Sequence, residues 1–316
     1  MRLSRPFFQL PVLFEAARLQ AEVAGLPAEA WVPHPDHVPG NSATRLISVG
    51  GGETDAIYGQ MLPTQWLGAM PYLRQILAGF GVVWGRSRLM RLAPSARVPE
   101  HADINYHWHT RVRLHVPIFT RPEVHFHCDG QAVHMAAGEA WIFDNWRRHH
   151  VENKGSAERI HLVADTTGTA AFWQFACGQP PARERWRTVG WEPSASPQLL
   201  TENAQRSSVM PAAEVQLLVD DLRMELAPAV DTVEARARAA RFNLLLESFV
   251  LDWRQLCALH GVGGRGRGEF LRLAGAMHDA AKPLADGLVM RTNDADALLV
   301  LKKRILQHLV AEHAAP

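Results

Sequence analysis

The stretch Arg111-Val-Arg-Leu-His-Val-Pro-Ile118 decides the fold, because its apolar side chains occupy every second position. Successive side chains of a β-strand point to opposite faces, so this alternation predicts a half-buried strand. The face that carries the valines, the leucine and the isoleucine should enter a hydrophobic core. The other face carries three cationic or titratable groups, Arg111, Arg113 and His115.

Further short strands are predicted downstream of this one. Residues 123–128 alternate in the same way, Asp129-Gly130 is a hairpin signal, and residues 131–135 can form the returning strand. Residues 140–143 and 159–165 are two more strand candidates. Several short strands at close spacing predict a β-sandwich or a barrel. A jelly roll is the simplest choice because it leaves few strand edges exposed.

Helical patterns flank this β region on both sides. We predict a mainly β core of jelly-roll type, with an N-terminal helix at about residues 7–26 and an all-helical C-terminal region. The predicted domains are a helical segment, the β core and a helical domain, at residues 1–30, 31–170 and 171–316. The C-terminal helices are expected at residues 211–226, 232–259, 269–280 and 294–311.

The composition is that of a globular protein with little net charge. The 316 residues include 33 Lys and Arg and 32 Asp and Glu, giving a net charge of +1, which favours neither nucleic acid nor an anionic membrane as a partner. The three cysteines are far apart, and no uncharged apolar stretch is as long as a membrane span. We therefore expect no disulfide framework, no membrane partner and a cytoplasmic location. The glycine- and arginine-rich residues 261–268 are interpreted as a flexible connector.

Ten of the 16 histidines lie between His101 and His161, which directs the search for a metal site to this region. Residues i and i+2 of an extended chain point to the same face, so His101 and Asp103 can bind one ion together. A histidine well downstream, either His149 or His150, would complete a set of two histidines and one carboxylate. Such a set leaves coordination positions open and suits non-haem iron(II) oxygenases.

Four stretches together resemble the aspartyl/asparaginyl β-hydroxylase family of iron(II)- and 2-oxoglutarate-dependent dioxygenases. They read RVRLHVPI, GEAWIFDN, HHVEN and RIHLVAD, at residues 111–118, 138–145, 149–153 and 159–165. The chain is also similar to the bacterial L-proline cis-hydroxylases of the same superfamily. The resemblance extends over about residues 86–165. It implies a double-stranded β-helix core, Fe(II), 2-oxoglutarate as cosubstrate, and O2.

The resemblance also implies which side chains bind the iron. His101, Asp103 and His149 would be the catalytic metal ligands. In the family the distal histidine precedes the arginine that binds 2-oxoglutarate by ten residues, so His149 matches and His150 does not. The animal aspartyl hydroxylases lack a metal carboxylate. Asp103 therefore favours a full three-ligand site and argues against halogenation.

Four further positions follow from the same resemblance. Arg159 would bind the distal carboxylate of 2-oxoglutarate, and Arg113 and His115 would help to hold this cosubstrate. Arg88 stands where the family places a cation for the carboxylate of the substrate. The serine that helps to hold 2-oxoglutarate in the animal enzymes is Met90 here, so we expect Arg159 to carry more of that binding.

The family implies an amino acid as substrate, either free or within a peptide. We expect hydroxylation of an aspartyl or asparaginyl side chain in a peptide or protein, with release of succinate and CO2. A free amino acid such as proline is the alternative substrate. A cupin-type metalloprotein that does not use 2-oxoglutarate and a non-catalytic binding module remain as other classes. The C-terminal helices could cap the pocket, receive a peptide or form a homodimer.

Overall fold

The computed structural model describes residues 1–34, 38–195 and 197–311. Its contacts divide the chain into two compact units. The first unit comprises residues 1–101 and 110–205, and the second comprises residues 102–109 and 206–316.

The first unit contains fourteen strands and four α-helices within the described residues. The strands are β1 (Phe7–Phe14), β2 (Val32–Pro33), β3 (Asn41–Val49), β4 (Gly59–Pro63), β5 (Trp84–Leu92), β6 (Arg97–His101), β7 (Val112–Phe119), β8 (Val124–Cys128), β9 (Gln131–Val133), β10 (Glu139–Phe143), β11 (His149–Asn153), β12 (Arg159–Thr166), β13 (Arg187–Val189) and β14 (Asn203–Ala204). The helices are α1 (Ala16–Ala24), α2 (Gln65–Gly68), α3 (Pro71–Gly79) and α4 (Ala170–Cys177).

The eight strands from β5 to β12 form the predicted jelly roll, or double-stranded β-helix. Consecutive strands belong mostly to different sheets, so that the large sheet contains the order β10-β7-β12-β5 and the small sheet is β6-β11-β8-β9. The large sheet continues through β1 and β13 on one side and through β3, β4 and β14 on the other. The strands predicted from alternation are confirmed. The hairpin between β8 and β9 turns at Asp129 and Gly130, which both have positive φ angles.

The two faces of the large sheet differ as the opening stretch predicts. Val112, Leu114, Val116 and Ile118 enter the main hydrophobic core, together with apolar side chains of α1 and α3. The opposite face looks onto the small sheet, where a second apolar cluster joins Leu92 and residues of β1 and β10 to residues of β8 and β11. The polar side of β7 therefore lines the interior between the sheets.

The prediction of a helix from residue 7 is wrong, because Phe7–Phe14 is strand β1. It pairs antiparallel with β10, from Phe7 opposite Phe143 to Leu10 opposite Ala140, and the register shifts between Leu10 and Leu13, where Pro11 lies. Proline has no N–H to donate and disfavours a helix interior. The strand buries side chains on both faces, which hides the period of two. The helix begins only at Ala16.

The second unit is mainly helical, as predicted, but it is not all-helical. Its α-helices are α5 (Ala212–Glu225), α6 (Val233–His260), α7 (Arg267–Leu284) and α8 (Ala297–Val300), and the last continues as a π-helical turn and a 3-10 turn to His308. The strands β15 (Leu226–Pro228) and β16 (Leu288–Met290) pair as a short antiparallel ribbon. The hydroxyl of Thr232 accepts a hydrogen bond from the Ala235 N–H and caps α6.

Segment 102–109 packs within the second unit. Arg304 donates to the carbonyl oxygen of Ile104 and forms an ion pair with Asp221 at 2.6 Å. Tyr106 hydrogen-bonds to Glu214. Two further findings concern the chain as a whole: Cys128, Cys177 and Cys257 are all free thiols, and no helix of the described residues is long and apolar enough to cross a membrane.

The docking of β1 gives a testable prediction about Gly138. Gly138 has a φ of +82°, and a Cβ there would meet the carbonyl oxygen of Phe14. We expect Gly138→Ala to lower the free energy of unfolding by about 1–3 kcal/mol, because both the backbone angle and the contact are strained. Gly130→Ala is the matched control, since Gly130 also has a positive φ but open space around it. Urea unfolding that gives the same loss for both variants would contradict the close approach of β1.

Candidate metal centre

Two imidazoles face each other across the small sheet. His149 on β11 lies directly opposite His101 on β6, with ring centroids 4.2 Å apart. Each Nδ1 contacts a backbone carbonyl oxygen two residues earlier, that of Pro99 at 2.8 Å and that of Arg147 at 2.9 Å. A carbonyl only accepts, so Nδ1 carries the proton in both rings. The carbonyl contacts fix the ring orientations, and Nε2 is the nitrogen of each ring that would bind a metal ion.

Asp103 completes the candidate ligand set. It follows His101 by two residues, just after the end of β6, and ligand atoms of His101, Asp103 and His149 all lie within 4.8 Å of one another. His149 is buried, Asp103 is half-buried and His101 is exposed. Two imidazoles and one carboxylate are a donor set that suits iron(II) with open positions. The structure therefore brings together the three residues that the sequence predicted as ligands, whereas His150 lies in a different group with His127.

A buried cationic cluster lies on the interior face of the large sheet. Arg159 on β12 is only 4% exposed, and its Nη2 donates to Nδ1 of His161 at 2.8 Å. Burial lowers the pKa of Arg159 to about 9. Burial, and then the charge of Arg159, lower the pKa of His161 well below its usual value. Within the described chain, Arg159 Nε and His161 Nε2 have no hydrogen-bond partner.

His115 belongs to the same buried environment. Burial, followed by the charges of Arg159 and Arg113, lowers its pKa well below the usual value, so the ring is neutral near pH 7. Neither ring nitrogen finds a hydrogen-bond partner among the described residues. Phe126 and Phe143 pack against His115 with ring centroids at 5.3 and 5.4 Å, and both also contact the ring of His149.

These orphaned polar atoms fit an anionic ligand. Buried donors without acceptors are costly, and a buried guanidinium without a counter-ion is more so. A dicarboxylate would supply both acceptors and negative charge to Arg159. Arg159 and His115, which the sequence predicted for 2-oxoglutarate, therefore suit one of its carboxylates. His161 was missed, although its position two residues after Arg159 puts it on the same face of the strand.

Arg113 has a different environment from the one predicted. Its Nε and Nη2 form a bidentate ion pair with the buried carboxylate of Asp165, at 2.8 and 3.2 Å, across the directly opposed position of β12. Asp165 is fully buried, and Arg86 Nε lies 3.9 Å from it. In this structure Arg113 is thus a member of a buried ion pair, and its contact with the cosubstrate stays a prediction.

Arg88 is buried rather than a solvated strand residue. Its Nη2 lies 2.5 Å from Asp55 Oδ1, and Arg45 binds the same carboxylate through two nitrogens at 3.0 Å each. Burial, and then the charge of Arg86, lower the pKa of Arg88 to about 10. Burial alone would raise the pKa of Asp55, but the Arg45 hydrogen bond and the charges of Arg88, Arg45 and Arg86 lower it overall. No local pattern points to Asp55, because it lies in a loop.

The resemblance to a known family is confirmed over part of the chain. Residues 58–168 match the model of the family described as Aspartyl/Asparaginyl beta-hydroxylase. This segment contains the three candidate ligands, Arg88 and Arg159. This segment is therefore similar to a hydroxylase of that family. Among curated proteins, none matches the chain.

Several solved structures are similar to part of the chain at low identity. One is an oxidoreductase of the 2OG-Fe(II) oxygenase family from Burkholderia pseudomallei, at 18% identity and a TM-score of 0.36, covering 48% of this chain and 78% of that one. A Pseudomonas putida prolyl-4-hydroxylase has 18% identity and a TM-score of 0.34, covering 53% and 95%. A predicted oxalate decarboxylase from Thermotoga maritima has 15% identity and a TM-score of 0.27, covering 43% and 89%.

Strand alternation makes a sharp prediction for the two adjacent histidines. We expect His149→Ala to weaken iron(II) binding by more than the roughly 10–100-fold typical for loss of an outer hydrogen-bond partner, because a ligand itself is removed. His150→Ala should bind iron as the wild type does, since its side chain points to the other face. Anaerobic titration, followed by the absorption of the ferrous 2-oxoglutarate chelate, measures this. Unimpaired chelate formation in His149→Ala would refute the assignment.

Proposed function

We propose that this protein hydroxylates an unactivated carbon of an aspartyl or asparaginyl side chain in a peptide or protein, using iron(II), 2-oxoglutarate and O2 and releasing succinate and CO2. The observation that carries the proposal is the buried Arg159, which has no carboxylate partner among the described residues and lies in the interior that His149 also faces. A metalloprotein that does not bind a diacid has no use for such a group. This observation disfavours the cupin-type alternative.

His101, Asp103 and His149 would hold the iron, and the chain's part is to fix their geometry. Bound iron(II) with 2-oxoglutarate and O2 supplies the oxidising power that breaks a carbon–hydrogen bond. The carbonyl oxygens of Pro99 and Arg147 hold the two imidazoles with Nε2 towards the ion. Preorganised ligands limit the reorganisation that binding requires.

Arg159 would neutralise the distal carboxylate of 2-oxoglutarate, and the N–H of the neutral His115 ring would donate a hydrogen bond to it. The rings of Phe126 and Phe143 pack against His115 and would limit the access of water to this region. A dry surrounding strengthens the attraction between the guanidinium and the carboxylate. It would also limit side reactions at the site.

The substrate class follows from the charge around Asp55. Three arginines, Arg45, Arg86 and Arg88, act on this single carboxyl group. Asp165 also lies near Arg86 and Arg88, but it already pairs with Arg113, so two carboxylates face four guanidinium groups. The buried Arg88 keeps an Nε without a hydrogen-bond partner among the described residues. Such a positive excess favours an anionic group on the substrate. An aspartyl carboxylate meets this requirement better than an asparaginyl amide, and the α-carboxylate of a free amino acid is the alternative.

A succinate-release screen tests the proposal directly. The iron-loaded protein is incubated with 2-oxoglutarate and either aspartyl peptides, their asparaginyl counterparts or free amino acids including proline. We expect aspartyl peptides to give the highest succinate release above the substrate-free rate, and mass spectrometry to show the gain of one oxygen. Turnover of free amino acids alone would replace the peptide substrate. No succinate with any substrate and no chelate formation would refute the oxygenase.

The role of Arg159 has its own test. We expect Arg159→Ala to raise the apparent KM for 2-oxoglutarate by about 30-fold or more, since losing one partner of a buried charge pair costs roughly 2–5 kcal/mol. Arg159→Lys retains the charge but cannot form two parallel hydrogen bonds, so its KM should lie between those of the wild type and Arg159→Ala. Initial rates at several 2-oxoglutarate concentrations give the values, and circular dichroism checks folding. An unchanged KM in folded Arg159→Ala would remove Arg159 from the cosubstrate site.

A further inference from the structure

The outer face of the small sheet carries a second group of metal-binding side chains. His150 on β11 lies directly opposite His127 on β8. Glu152 follows His150 by two residues and so lies on the same face of its strand. Ligand atoms of His127, His150 and Glu152 all lie within 4.8 Å of one another. This group is separate from the candidate iron ligands, because His149 points to the opposite face of the same strand.

The geometry of the group is close to that of a coordination site. His127 Nε2 lies 3.5 Å from Glu152 Oε2, and it has no hydrogen-bond partner among the described residues. The rings of His127 and His150 are stacked, with centroids 4.1 Å apart and planes at 6°. Parallel rings must tilt towards one ion before both can bind it. The energy well for rotation about the bond from Cβ to an imidazole ring is broad, so this adjustment costs little free energy.

Three neighbouring side chains affect the group: Lys154 competes with a cation for Glu152, and His125 and Glu100 are two further polar side chains close by. Lys154 Nζ lies 2.8 Å from Glu152 Oε2, but Lys154 is 66% exposed on its side chain, and such surface pairs are weak. His125 lies opposite Glu152, with its ring 6.3 Å from that of His127. Glu100 Oε1 is 3.9 Å from His150 Nδ1. A cation bound by His127, His150 and Glu152 competes with the exposed Lys154 pair, and one that also recruits Glu100 competes with the contact of Glu100 with Arg148 at 3.4 Å.

We propose that His127, His150 and Glu152 form a second metal site, which binds a divalent ion of the zinc type and completes its coordination with water. Imidazole and carboxylate ligands together suit Zn²⁺. The ion would link β8 to β11, and β11 is the strand that carries His149. Its expected effect is to stabilise the small sheet.

Zinc stoichiometry tests this site independently of any enzymatic activity. The full chain is stripped with a chelator, desalted and dialysed against Zn²⁺ alone, and bound zinc is measured by elemental analysis. We expect two ions per chain for the wild type, one each for His127→Ala and His101→Ala, and none for the double variant. His134→Ala is the matched control from the same hairpin and should keep both ions. Its Nδ1 contacts the Val124 carbonyl oxygen at 3.1 Å, away from the group.

Two further measurements separate the second site from the iron site. Zn²⁺ should raise the melting temperature of His101→Ala but not that of His101→Ala/His127→Ala. Lys154→Ala should tighten zinc binding to His101→Ala by about two- to fivefold, since it removes the competing ion pair. Two ions in folded His127→Ala, or a single ion in the wild type that His127→Ala retains, would overturn the proposal. If His101→Ala loses zinc and His127→Ala does not, the second site is refuted, whereas the assignment of the iron ligands stands.

Discussion

One electrostatic constraint governs the interior of the β core: the buried Arg159 contacts the imidazole of His161 and has no carboxylate partner among the described residues. A charge in that position loses its hydration, and only acceptors or a counter-ion can restore the loss. The other face of the same sheet buries the main apolar core, whose stabilisation offsets this cost. The alternation of side chains separates the two environments. On β12, Leu162 points into the main apolar core and His161 points into the space between the two sheets.

Local pattern was sufficient to predict most of the core strands. The period of two in β7 and the turn at Asp129-Gly130 depend on neighbours along the chain, and both were recovered from sequence. Phe7–Phe14 was misread because it is buried on both faces by partners distant in sequence, so its apolar run has no period of its own. Tertiary packing decides such a segment, and Pro11 was the one local signal against a helix.

The metal ligands could be predicted from their spacing in the sequence and from the family resemblance. His101 and Asp103 are two residues apart, and His149 was chosen over His150 by its distance from Arg159. The surroundings of these residues were not predictable. The ion pair between Arg113 and Asp165 and the contact of Arg88 with Asp55 depend on strand register and loop path, which no short-range pattern specifies.

His149 and His150 are neighbours in sequence but point to opposite faces of the small sheet. The number of residues between β10 and β11 therefore decides which imidazole faces inward and which faces outward. Side chains alternate strictly, so deletion of one residue between β10 and β11 would move His150 into the position of His149 and Val151 into the position of His150. His150 would then turn inward towards His101, and the outer group would lose its partner for His127. The length of this connection is therefore constrained from both sides of the sheet, more tightly than the connection of an ordinary surface loop.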